Sequence, residues 1–234
     1  MWFRLNPFRQ TNHLRSSSSA VINITCGPDG PTFVVHLEKV LLSPYLCDLL
    51  PKTYDNDTVL EIGLGKDQAY LLEGYIHFLY TGTLATTAAE PSDTPAAIRA
   101  ELELELLGML HRFATVTRHG KFRNATVDGI IEISRVKDKE SGVHHLPDPA
   151  KFHHFPWHAP VKRCLVDLYA HFMDPEDPVL DRAENQQFMR EVLKACVRRF
   201  KMESEQGDLR GCVLKKCDYH EHEEGVRCDE SEED

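Results

Sequence analysis

Apolar and polar positions alternate along residues 21–25, with Ile22 and Ile24 on one side and Val21, Asn23 and Thr25 on the other. That two-residue repeat predicts a β-strand. The run GPDG at 27–30 supplies a turn, and TFVVHL at 32–37 is again extended, so the two runs predict a hairpin. EKVLLSP and YLCDLLP are short and leucine-rich. They predict two brief helices, the first stopped near Ser43 and Pro44 and the second by Pro51. Alternation returns in TVLEIGL at 58–64, where Leu60, Ile62 and Leu64 oppose Val59, Glu61 and Gly63. Then the period changes. Leu71, Leu72, Tyr75, Ile76 and Leu79 recur at helical spacing, with Asp67 placed to cap the helix and Gly82 to end it.

Residues 85–97, ATTAAEPSDTPAA, have the composition of a linker. Helices are predicted over 98–117 and 123–133, with a break near Gly120, and again over 160–173 and 185–202. A polar, proline-bearing connection at 135–159 separates the two pairs, and residues 203–234 form an acidic tail. Residues 1–19 read as a disordered arm with a serine run at its end; being rich in Arg and Ser without an acid, they also faintly resemble a mitochondrial transit peptide.

Three ordered motifs carry a resemblance. TFVVHLEKVLLSPYL presents Phe33, Val35, His36, Leu41, Ser43, Tyr45 and Leu46. VLEIGLGKD follows as a strand and a turn into a helix. LLEGYIHFLYTGTL then presents Leu72, Tyr75, Ile76, Phe78, Leu79, Tyr80, Thr81 and Gly82. In this order they resemble the BTB/POZ domain, over residues 20–134 with 85–97 as an insertion. Downstream, MLHRFATVTRHGKFRNATVDGII resembles the helical pair of fungal members of that family, with Phe113, Ala114 and the run from Phe122 through Arg123 and Asn124 to Ala125 in place.

The resemblance implies an α/β fold, a BTB/POZ-type small sheet with flanking helices, followed by a helical C-terminal extension at 160–202. It implies non-catalytic protein–protein interaction, by self-association or by partner binding. Leu46, Leu49, Tyr54 and Tyr80 are its candidate contact residues, and each also suits a core position. The chain departs from the family at Ala20, where an Asp is usual, and at Leu37, where a Lys is usual. A substrate adaptor of a cullin-type ubiquitin ligase is the alternative within the family. The hydrophobic-x-Glu motif that often accompanies that role is absent from TYDNDT at 53–58, and the letters Val59, Leu60, Glu61 fall in a predicted strand.

Charge narrows the partners. The formal net charge is −10, with −8 concentrated in residues 203–234 and +3 in residues 1–19. A mildly acidic body lacks the basic face that nucleic acid requires, so no nucleic-acid partner is expected. No apolar run reaches the ~18–20 residues of a membrane span, so none is predicted. Seven scattered cysteines, an odd number, suit a reducing compartment, and cytosol or nucleus is the expected location.

Candidate chemistry concentrates in the tail. Cys217, His220, His222 and Cys228 supply four borderline or soft ligands, the number that zinc takes tetrahedrally. A structural zinc site is therefore the candidate cofactor, and a zinc-binding regulator is a second alternative function; a solvated acidic tail is the other reading. GLGKD at 63–67 lacks the spacing of a phosphate loop and reads as a strand-to-helix turn. His144, His145, His153, His154 and His158 gather in a loop with Asp148 as the one acid among them. His36 has no nucleophile motif beside it and reads as structural. No catalytic residue is assigned, and the chain is expected not to be an enzyme.

Overall fold

β1 (Val21–Cys26) buries Ile22, Ile24 and Cys26 and turns Asn23 and Thr25 the other way, as the alternation predicts. It pairs antiparallel with β2 (Thr32–His36), Ile24 opposite Phe33, and parallel with β3 (Val59–Ile62), Ile24 opposite Leu60. The sheet order is β2-β1-β3. The hairpin is tight at Gly30: a Cβ there would stand 1.7 Å from the carbonyl oxygen of Cys26. These elements belong to a computed structural model that describes residues 20–54, 58–86, 95–139, 141–152, 159–173, 186–206 and 214–222. Across them the protein is mixed α/β, a small three-stranded sheet with seven helices.

β3 lies on the far side of β1 from β2, so the connection from β2 to β3 is a crossover past β1 that no tight turn could make. It carries α1 (Leu37–Val40) and α2 (Pro44–Leu49). Ser43 starts α2: its Oγ accepts the Leu46 N–H at 3.1 Å, and Pro44 occupies the first turn, where its missing N–H costs nothing. α3 (Ala69–Thr81) follows and buries Leu71, Leu72, Tyr75, Ile76, Phe78 and Leu79. Asp67 does not cap it. A 3-10 turn, Lys66–Gln68, precedes the helix, and Gln68 stands at the cap position without a side-chain hydrogen bond. The extra turn displaces Asp67 from the place where its carboxylate could reach the first free N–H groups.

Gly82 ends α3 in the left-handed conformation, φ 73°, its N–H bonded to the Phe78 carbonyl. No atom lies within 4 Å of where a Cβ would sit. Gly82→Ala therefore tests backbone conformation alone, and a loss of about 1–2 kcal/mol in urea denaturation is expected. An unchanged midpoint would mean that the helix end relaxes freely.

Among the described residues the remaining elements are α4 (Ala96–Thr117), α5 (Gly120–Arg135), a 3-10 turn at Pro149–Phe152, α6 (Pro160–Phe172), α7 (Gln186–Gln206) and a 3-10 turn at Lys216–Tyr219. The linker expected at 85–97 falls mostly outside the described residues, and α4 begins at Ala96. The chain forms two compact units, one of residues 1–93 and 109–123, the other of 94–108 and 124–234. The division thus falls within α4 and α5.

In the first unit Tyr75 is fully buried. Its ring meets Phe113 edge-on at 5.8 Å and Phe122 at 4.9 Å, and Phe78 meets Phe122 at 5.0 Å. These separations lie in the favourable range for tilted and edge-to-face aromatic pairs. The Tyr75 hydroxyl donates to Ser43 Oγ at 2.7 Å and lies 3.1 Å from His119 Nδ1. With its one proton committed to Ser43, the His119 contact requires the imidazole hydrogen on Nδ1. Burial pushes the Tyr75 pKa up to about 12, so the phenol stays a donor.

Burial, and after it the Lys121 charge, hold His119 below the ordinary histidine range. The unfolded chain, titrating near ~6.5, binds that proton more readily than the folded one. His119 therefore adds stability in full above about pH 6.5, and that contribution falls as pH drops toward the lower folded value. A lower urea midpoint at about pH 5.5 than at about pH 7.5 is expected, with His119→Gln reducing the difference. The same pH dependence in the variant would assign it to other groups.

In the second unit, Leu104, Leu107, Ile130, Ile131, Leu165 and Leu168 are buried, and Tyr169 meets Phe188 edge-on at 5.1 Å. Cys164 is fully buried and its thiol pKa is raised by burial, which keeps it protonated and unreactive.

Candidate interaction surface

The segment after β2 places its leucines on both sides of the chain. Val40 and Leu46 go inward and are completely buried, whereas Leu41, Leu42, Leu49 and Tyr54 are exposed, Leu42 at 55% and Tyr54 at 43%. The cause is local. α1 ends at Val40, the backbone turns through Leu41 and Leu42, and the Ser43 cap starts α2 in a new direction. Cys47 Sγ lies 3.6 Å from both the Val40 and Leu41 carbonyl oxygens, which holds the two short helices together. Arg118 and Asp48 form an exposed ion pair at the same helix.

Of the four candidate contact residues, Leu49 and Tyr54 are thus accessible and Leu46 has no surface to present. Tyr80 is half-buried and acts as a lock: its hydroxyl accepts the His36 backbone N–H at 2.9 Å and lies 2.7 Å from His36 Nδ1. His36 is held in place by these bonds, in keeping with a structural role. Leu41 and Leu42 were not singled out as contacts from sequence. Their signal was an apolar pair at a helix stop, just where side chains lose the periodicity that would bury them.

The outer face of the sheet adds two more exposed apolar groups, Val34 and Val59, which flank Asn23 on the neighbouring strands.

In the second unit the tail is not wholly solvated. Leu214 and Tyr219 are buried. The Tyr219 hydroxyl donates to Asp167 Oδ2 at 3.0 Å, and His220 Nε2 lies 2.8 Å from Asp128 Oδ1. The Asn124 side chain bonds both backbone groups of Glu221, donating to its carbonyl at 3.1 Å and accepting its N–H at 2.9 Å. Arg163 donates to the Asp218 carbonyl at 3.1 Å, Arg135 to that of Leu214, and Lys216 pairs with Glu132. The expectation of a solvated acidic tail is corrected for residues 214–222. Its acids hid a short segment whose apolar and backbone groups find partners on α5 and α6.

Cys217 Sγ and His222 Nε2 stand 3.3 Å apart, and the His220 and His222 rings have centroids 5.7 Å apart. Among the described residues no three His, Cys, Asp or Glu side chains converge as a metal-holding group. His220 is turned to Asp128, and Cys228 lies outside the described residues. Of the loop histidines, His144 stacks on Phe172 at 4.3 Å and sits 2.8 Å from the Ser134 carbonyl oxygen. His153, His154 and His158 lie outside the described residues. Among the described residues no helix is long and apolar enough to cross a membrane.

Compared with known protein families, curated proteins and solved structures, the chain matches none.

Proposed function

We propose that this chain is a non-catalytic protein–protein interaction module of BTB/POZ-like type, acting by self-association or partner binding through its first unit. The observation that carries the reading is the exposure of Leu41, Leu42, Leu49 and Tyr54 on one short stretch beside the sheet. Single exposed leucines are ordinary on a protein surface, but four large apolar groups exposed within residues 41–54 mark a segment that gains by being covered. The order of motifs from Phe33 to Gly82 supports the family likeness.

The mass of the full chain in solution tests it. Light scattering at micromolar concentration is expected to give more than the 26.7 kDa of one chain, and Leu42→Asp with Leu49→Asp is expected to return it to that value. A monomeric mass at every concentration overturns self-association. Equal recovery of bound protein from cell extract by wild type and double variant overturns the surface itself.

A second reading, a regulator that binds zinc through the tail, is favoured by the approach of Cys217 to His222. These two would be ligands, with His220 released from Asp128 or a further group completing the set. Zinc bound at one equivalent and lost in Cys217→Ser supports it; zinc content indifferent to that change removes it.

A further inference from the structure

α7 has two apolar faces and uses one. Phe188, Val192 and Ala195 are buried in the second unit. Leu193, Val197 and Phe200 form a separate line at spacings of four and three residues, and they are exposed at 65%, 48% and 73%. At 1.5 Å per residue this stripe runs roughly 10 Å along the helix. Beside it runs a parallel basic row, Arg190, Lys194 and Arg198, each four residues from the next. Lys194 is partly offset by Glu191, its Nζ 2.7 Å from the carboxylate. A shallow groove is lined by Leu193, Lys194, Val197 and Arg198, so apolar and cationic groups meet in one depression.

We infer that this face of α7 docks an acidic amphipathic helix from a partner protein. The apolar stripe would take side chains at positions i, i+4 and i+7 of that helix, and the basic row would meet carboxylates along one flank. Charge and packing decide against the other occupants. A second copy docked antiparallel would set basic row against basic row, and one docked parallel would set each row against Met189 and Cys196, which offer it no counter-charge. A helix lying on a membrane presents cations across the polar face opposite its apolar stripe, whereas the opposite face of α7 is buried through Phe188, Val192 and Ala195. The inference concerns the second unit and does not depend on the BTB-like reading of the first.

The probe is a fluorescent designed peptide of roughly five helical turns, with Leu at every third or fourth position and Glu along one flank. A matched peptide carrying Lys in place of Glu, and vesicles containing phosphatidylserine, form the other arms, all tested against the full chain by anisotropy or sedimentation. The Glu peptide is expected to bind, more weakly as salt rises, and Phe200→Asp or Leu193→Asp to weaken it about tenfold or more. Arg190→Glu with Arg198→Glu is expected to reverse the preference toward the Lys peptide. All substituted side chains are exposed, so unchanged circular dichroism and thermal midpoint serve as the folding control. Equal binding of both peptides, no binding of either, binding indifferent to Phe200→Asp, or Phe200-dependent binding to vesicles alone each overturns the inference. So does a dimer that Phe200→Asp dissociates, since that would make the occupant a second copy.

Discussion

Tyr75→Ala is expected to destabilise the first unit by about 3–5 kcal/mol, the range for deleting a fully buried aromatic side chain. Three losses combine. The ring leaves a cavity against Phe113 and Phe122, its edge-to-face contacts vanish, and Ser43 Oγ and His119 Nδ1 lose a buried partner. Tyr75→Phe separates these contributions, because it keeps the ring and removes only the hydroxyl. Its expected cost is about 1–3 kcal/mol, from the lost contacts to Ser43 Oγ and His119 Nδ1. The same change loosens the start of α2, since Ser43 is also the cap that accepts the Leu46 N–H. Chemical denaturation of wild type and both variants gives the comparison. Equal losses from Phe and Ala would place the whole effect in the hydroxyl network, and a loss below about 1 kcal/mol from Ala would show a core that collapses around the gap.

Tyr219→Ala has the second large effect, on the attachment of the tail. Tyr219 is buried, and its phenol is kept protonated by burial first and by the neighbouring Asp167 carboxylate second, so it remains a donor to Asp167. Removing the ring and the donor together is expected to cost about 3–5 kcal/mol of docking. Hydrogen exchange should show lost protection in residues 214–222, while α3 in the other unit keeps its own. Tyr219→Phe is expected to give a smaller change, from the hydrogen bond alone. Protection that survives Tyr219→Ala would move the anchor to the Asn124 clamp and the His220 contact with Asp128.

Much of the fold was legible because its signals are local. Alternation in 21–25 and 58–64 is a property of consecutive side chains on a pleated backbone, and the buried sets Ile22, Ile24 and Leu60, Ile62 follow it directly. Gly82 announced the end of α3 for an equally local reason, the conformation that glycine adopts without penalty. The failure at Asp67 was local too, yet beyond a pattern: whether a helix opens with a 3-10 turn depends on where the preceding strand leaves the chain.

The candidate surface was legible only in part. Leu46 and Leu49 stand three residues apart in one short helix, both leucine, and both were candidate contacts. Residues three apart share one side of a helix, so spacing alone would turn both inward, yet Leu46 is buried and Leu49, the last residue of α2, is exposed. The tail shows the same limit from the opposite side. Twelve acids against four bases in 203–234 correctly describe a charged segment. They do not reveal that Tyr219, His220 and the backbone of Glu221 meet Asp167, Asp128 and Asn124, residues 52 to 97 positions earlier.

By itself, then, the sequence determined the strands, the helices, the hairpin, the end of α3 and the distribution of charge, since each depends on neighbours within a few residues. Tertiary structure alone decided the parallel placing of β3 beside β1, the division of the long helices between two units, and the docking of the tail. It also decided which leucines reach solvent. Those outcomes depend on which distant surfaces exclude water together, and burial of that kind is a relation between segments rather than a property of any one of them.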